Sequence, residues 1–82
     1  MSLDLTQHAR EMLAEREISE TWVERTVAGP EGLEPDRIDP GLEHCLRRIP
    51  EYGNRVLRVI ADRSVSPVRV VTAFFDRSAK VE

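Results

Sequence analysis

Four residues of this chain could act together on a phosphodiester: His8, Arg16, Arg58 and Thr72. Cutting RNA without a metal needs a base for the 2′-hydroxyl, an acid for the leaving oxygen and cations for the phosphorane. His8, near the start of a helical stretch, is the candidate base. Arg16 and Arg58 can grip a phosphate through the planar guanidinium fork; the alternative for each is a pair with an acid such as Glu20 or Asp76. Thr72 can offer a hydroxyl from a late strand, where β-branched residues are common in any case. His44 and Cys45 are neighbours in a strand-like run and so point to opposite faces, which argues against a thiol–imidazole dyad. Tyr52 can stack on a base or simply pack. Arg47 and Arg48 read as a solvated edge.

These residues must be positioned by a few short elements. Thr6 (with Asp4 as the alternative) is an N-cap for a first helix. At about 100° per residue, Leu5, Ala9, Met12 and Leu13 form its apolar stripe, with Arg16 in the middle and His8 at the edge. Both are therefore expected to face the body of the protein, and Arg10 to face water. Ser19 caps a second helix, with Glu20 in its first turn, an Ile18/Val23 staple, and a buried stripe of Trp22, Val23, Thr26 and Val27. Gly29-Pro30 ends it. The acidic stretch 30–41, with three prolines and two glycines, reads as a surface loop. Strand-like runs follow at Leu42 to Ile49, Arg55 to Ala61 and Val68 to Phe75, joined by short connections that imply antiparallel neighbours. Strict alternation puts Val68, Val70, Thr72 and Phe74 on one face and Val71, Ala73 and Phe75 with Arg69 on the other. Helices cover one face; the second stays open unless the tail, a second copy or a partner covers it.

The expectation is a single α+β domain over residues 1–82. It comprises a helical hairpin 5–29, the loop 30–41, an antiparallel sheet of three to four strands over 42–77, and a tail 78–82. No apolar run is long enough to span a bilayer, and Met1-Ser2-Leu3-Asp4 has neither the basic nor the apolar region of a secretory signal. With Cys45 the only cysteine, a reducing, cytoplasmic location is expected. One Cys and two His give no recognised metal-site spacing, so neither metal nor cofactor is expected. The net charge of −3 hides a division: residues 1–43 hold eleven acids and four arginines, a balance of −7, whereas residues 44–82 stand at +4. The basic half suits RNA or an acidic partner protein, unless the two halves simply neutralise each other in the fold.

The strings Thr6-x-His8-Ala9-Arg10-Glu11-Met12, Arg16-x-Ile18-Ser19, Pro30-Glu31, Tyr52-Gly53, Arg55-x-Leu57-Arg58-Val59-Ile60 and Val71-Thr72-Ala73-Phe74-Phe75-Asp76-Arg77 together resemble the bacterial family called domain of unknown function 4258. The resemblance runs from Thr6 to Arg77 and implies a glycine at the helix corner, where this chain has Glu17. The element order is also similar to that of the RelE/ParE and BrnT toxins and of wider ribonuclease toxin groups. That similarity implies a RelE-like fold, a His or Arg on the first helix and a Ser or Thr on a late strand. Two functions follow as expectations. One is a toxin-like domain that binds or cleaves RNA as a metal-independent endoribonuclease, using His8, Arg16, Arg58 and Thr72. The other is a non-catalytic module that binds a partner protein, antitoxin-like, or a second copy of itself as a homodimer, through an exposed sheet face or edge.

Overall fold

The computed structural model describes residues 3–81. Met1 and Ser2, part of the start read above for a signal, and Glu82, the last residue of the expected tail, lie outside the described residues. The elements run β1 (Leu3–Leu5), α1 (Gln7–Arg16), α2 (Glu20–Ala28), β2 (Gly32–Pro35), β3 (Glu43–Ile49), a 3-10 turn (Pro50–Tyr52), β4 (Arg55–Asp62) and β5 (Val68–Phe75).

The α+β class holds, but the sheet has five strands in the order β1-β5-β4-β3-β2. It is mixed rather than purely antiparallel, because β1 runs parallel to β5. The two unexpected strands sit at the edges. β1 has only three residues and pairs with a strand more than sixty positions away. β2 lies inside the acidic segment expected as a loop and pairs antiparallel with β3, Glu34 opposite His44. Pro35 closes β2, as suits an edge strand that need not donate there.

Both helix caps form as the sequence expects. Thr6 Oγ1 accepts the Ala9 N–H at 3.0 Å, and Ser19 Oγ accepts that of Thr21 at 3.1 Å. Thr6 also donates to the Val71 carbonyl at 3.3 Å. Val71 is the extra residue of a β-bulge: Ile60 pairs with Thr72 but Ala61 pairs with Val70. The bulge breaks the expected alternation along β5. Val70 and Ala73 belong to the core cluster under the helices and Phe75 packs against it, while Thr72 and Phe74 turn to the helix-free face.

The core lies between the helices and one sheet face. Ala9, Leu13, Val23 and Val27 meet Cys45, Ile49, Leu57, Val59 and Ala61 there, each buried. Cys45 is thus a core residue, and its burial raises the thiol pKa, which suits packing rather than nucleophilic chemistry. Trp22, Tyr52 and Phe75 close one end with ring centroids 4.6 to 6.0 Å apart. Arg25 grips Glu51 with two bonds, at 2.9 and 2.7 Å, and so ties α2 to the 3-10 turn. The Glu51 carboxyl is held down at about 2, first by that bond from Arg25. On the other face, Leu46 and Val56 are also buried. A Cβ on Gly32 would lie 3.4 Å from both Leu46 Cδ1 and Val81 Cγ1, so the tail crosses the sheet beside Leu46.

The corner between the helices is a Schellman arrangement. Glu17 donates to the Ala14 carbonyl at 3.3 Å and Ile18 to that of Leu13 at 2.9 Å. Glu17 sits there at φ 55, ψ 44, a left-handed conformation in which a Cβ is costly. Replacing Glu17 with Gly removes the strain but adds freedom to the unfolded chain. Glu17→Gly is therefore expected to stabilise the protein by about 0.5–1 kcal/mol, read as a higher urea midpoint. An unchanged or lower midpoint would show that the corner is not strained.

Candidate functional site

The site grows from the sheet face that the helices leave uncovered. On β4, Leu57 and Val59 point into the core, so Arg58 between them points the other way. By the same rule Phe74, between core residues Ala73 and Phe75, shares that face. Arg58 and Phe74 are directly opposite across the strand pair, and Thr72 faces Ile60 one step further on.

Arg16 reaches this face from the edge. Asp76 donates its N–H to Val56, which fixes the ladder's phase. With a two-residue period, the backbone groups of Ala73 and Phe75 then point away from β4. β1 covers only Val68 to Val70 of that edge. Arg16 Nη1 takes the Ala73 carbonyl at 2.8 Å, covering part of an edge that would otherwise lie bare. Its guanidinium carbon lies 5.9 Å from the Phe74 ring centroid.

Arg58 is enclosed by partners. Its Nε donates to Asp76 Oδ2 at 2.9 Å, and its Nη1 meets Glu34 Oε1 at 3.0 Å and His44 Nδ1 at 2.7 Å. His44 Nε2 lies 2.7 Å from Asp36 Oδ1. A guanidinium can only donate, so His44 Nδ1 must accept. The imidazole proton is then on Nε2, directed at Asp36. Asp36 is held below the usual carboxylate range, first by the Asp39 backbone N–H and then by His44. Asp76 is lowered as well, chiefly by the Ser78 hydroxyl and backbone N–H, with Arg58 adding to them. The chain Asp36–His44–Arg58–Asp76, with Glu34 at its rim, flanks a shallow groove of about 290 Å³.

The structure thus brings Arg16, Arg58 and Thr72 to Phe74 and leaves His8 apart. His8 does not face the body of the protein as the helical phase suggested; it is exposed, and so is Arg16, expected inward as well, which touches the sheet through its guanidinium at Ala73 and Phe74. The apolar stripe is centred on Ala9 and Leu13, the buried residues of α1, and at about 100° per residue His8 lies about 120° from that centre. Eight residues separate His8 from Arg16, about 12 Å along a helix axis, which is too far for both to touch one phosphate. Arg16 bonds a carbonyl rather than Glu20, whereas Arg58 takes Asp76, the acid foreseen for it. Arg10 is exposed as expected. Tyr52 packs on Phe75 and Trp22. Arg47 is not a free edge cation, because its guanidinium bonds the Gly29 carbonyl at the end of α2. Sequence reasoning missed His44: its partners Asp36 and Arg58 lie eight and fourteen positions away, and only the pairing of β2, β3 and β4 brings them together.

Among the described residues no group of three or more His, Cys, Asp or Glu is arranged to hold a metal, and no helix is long and apolar enough to cross a membrane. The family model described as Domain of unknown function (DUF4258) matches residues 5–75. Neither a curated protein nor a solved structure matches the chain.

Arg58 should matter to stability in proportion to its enclosure. Its side chain is 13% exposed and that of Glu34 is 55% exposed. Arg58→Ala strands Asp76 and His44 and is expected to cost about 1–3 kcal/mol. Glu34→Ala is expected to cost under about 1 kcal/mol. Urea unfolding of the two variants checks this, and equal losses would refute the enclosed-charge reading.

Proposed function

The chain belongs to the DUF4258 family, and from that premise we propose that it is a RelE-like, toxin-type domain that binds single-stranded RNA across its helix-free sheet face. The single observation that carries this reading is the Arg16 guanidinium over the Phe74 ring, at the open edge of the face. Splayed bases stack on aromatic rings and on guanidinium planes. The ring and the guanidinium offer such a surface, and Thr72 adds a hydroxyl two residues along. Arg16 keeps donors beyond the one given to Ala73. Arg58 stands beside Phe74 on the same face, its charge already matched by Asp76 and Glu34, as a positioning residue.

The arrangement favours binding over cleavage. His44 has both ring nitrogens engaged, and His8 stands about two helical turns from Arg16. A base for the 2′-hydroxyl would have to be His8 acting at a different nucleotide from the one Arg16 holds. In a second reading the module binds a protein, either an antitoxin-like partner or a second copy. Its support is the outer edge, where Leu33 on β2 is 50% exposed and Ile38 just beyond it is 93% exposed.

A labelled single-stranded RNA followed by anisotropy separates the two. Phe74→Ala is expected to weaken binding about tenfold or more, as loss of one stacked base implies, and affinity should fall with added salt. Saturable binding that Phe74→Ala leaves unchanged, or none at all, would contradict the sheet-face reading. Gels of the same mixtures read cleavage, and cutting that stops with His8→Ala would give His8 the base role.

A further inference from the structure

A second groove lies where β4 begins and β5 ends, beside Asp76. It has a volume of about 430 Å³, and its walls include Arg55, Arg77, Asn54, Val56 and Phe75. Its electrostatics differ from those around Arg58. Among the described residues neither Arg55 nor Arg77 is in an ion pair. The carboxylate on its wall, Asp76, is already engaged: Oδ1 accepts the Ser78 N–H and hydroxyl, and Oδ2 accepts Arg58 Nε. Two guanidinium groups outside any direct ion pair therefore share one concavity with a carboxylate that Arg58 and Ser78 already hold.

Arg55 is also presented in a set orientation. Its guanidinium carbon lies 5.1 Å from the Tyr52 ring centroid, and Tyr52 is backed by Phe75 at 4.6 Å and Trp22 at 5.7 Å. An arginine stacked on an aromatic face keeps its N–H edge free to donate. Tyr52 itself is fixed by the turn after it, where Gly53 at φ 65 and Asn54 at φ 57 reverse the chain into β4.

We propose that this groove binds a phosphate ester of about nucleotide size. A phosphate has enough oxygens to meet two arginine forks at once, whereas a single carboxylate satisfies one. Val56 and Phe75 give the rest of the ligand an apolar wall. The site shares none of the residues Arg16, Thr72 and Phe74, so it stands or falls apart from the sheet-face reading. A free nucleotide and the terminal phosphate of an RNA carry the same chemistry.

Trp22, the only tryptophan, reports on the site through its contact with Tyr52. Titration of the full chain with 5′-AMP is expected to change Trp22 fluorescence saturably. The double variant Arg55→Gln/Arg77→Gln should weaken that binding about tenfold or more, while Arg10→Gln, an exposed substitution on α1, leaves it unchanged. Far-ultraviolet circular dichroism verifies that both exposed substitutions leave the fold intact. A 5′-phosphorylated oligoribonucleotide that binds tighter than its 5′-hydroxyl twin and than 5′-AMP names an RNA end as the source; preference for 5′-AMP names the free nucleotide. Inorganic phosphate binding as tightly as 5′-AMP, no saturable change with any of these ligands, or full affinity in the double variant would overturn the proposal.

Discussion

The half-buried guanidinium of Arg58 ties the helix-free side of the sheet together. A charge removed from water must be paired, or its burial costs several kcal/mol. Its partners come from four places: Glu34 on β2, His44 on β3, Asp76 just after β5, and Asp36, through His44, from the turn after β2. The same pairs hold β2 against β3 and fix the His44 tautomer. They also make the neighbourhood of Arg58 acidic, so free positive charge on this side lies at the edge with Arg16, while Arg55 and Arg77 stand at the end of the sheet beyond Asp76.

The division follows from size. Two short helices of ten and nine residues can blanket one face of a five-stranded sheet but not both. The second face is closed partly by the tail near Leu46 and partly by the polar network, leaving Phe74 and Ile60 half-buried. A half-buried aromatic ring beside an arginine is poorly placed for core packing alone and well placed for a flat ligand. A sheet face left open this way costs stability, since apolar area on it is only partly removed from water.

Local physics made much of this legible in the sequence. Both caps, the staple, the helix stop at Gly29-Pro30 and the three central strands follow from side-chain chemistry within a few residues. The corner was marked only by the family resemblance, which implies a glycine where Glu17 takes the left-handed conformation. What escaped depends on distant partners. β1 is too short to signal itself and exists because β5 offers an edge. β2 carries the glycine, proline and acids of a loop, yet pairs with β3. The bulge at Val71 rephases β5, so alternation grouped Val68 and Val70 with Thr72 and Phe74, which lie on the other face; Thr6, whose hydroxyl bonds the Val71 carbonyl, is far away in sequence. Of the candidate site, Arg58 and Thr72 land on the open face and Arg16 arrives at its edge, whereas His8 was misjudged because the buried stripe centres on Ala9 and Leu13 and leaves His8 outside it.

The central claim, that the face around Phe74 takes up single-stranded RNA, is tested most directly by mapping chemical shifts of the isotope-labelled protein during titration with a short unstructured RNA. The account predicts shifts concentrated at Phe74 and Thr72 and at the side chain of Arg16, with Leu33 and Ile38 at the far edge unmoved. Shifts confined to Leu33 and Ile38, or none at saturating RNA, would contradict it.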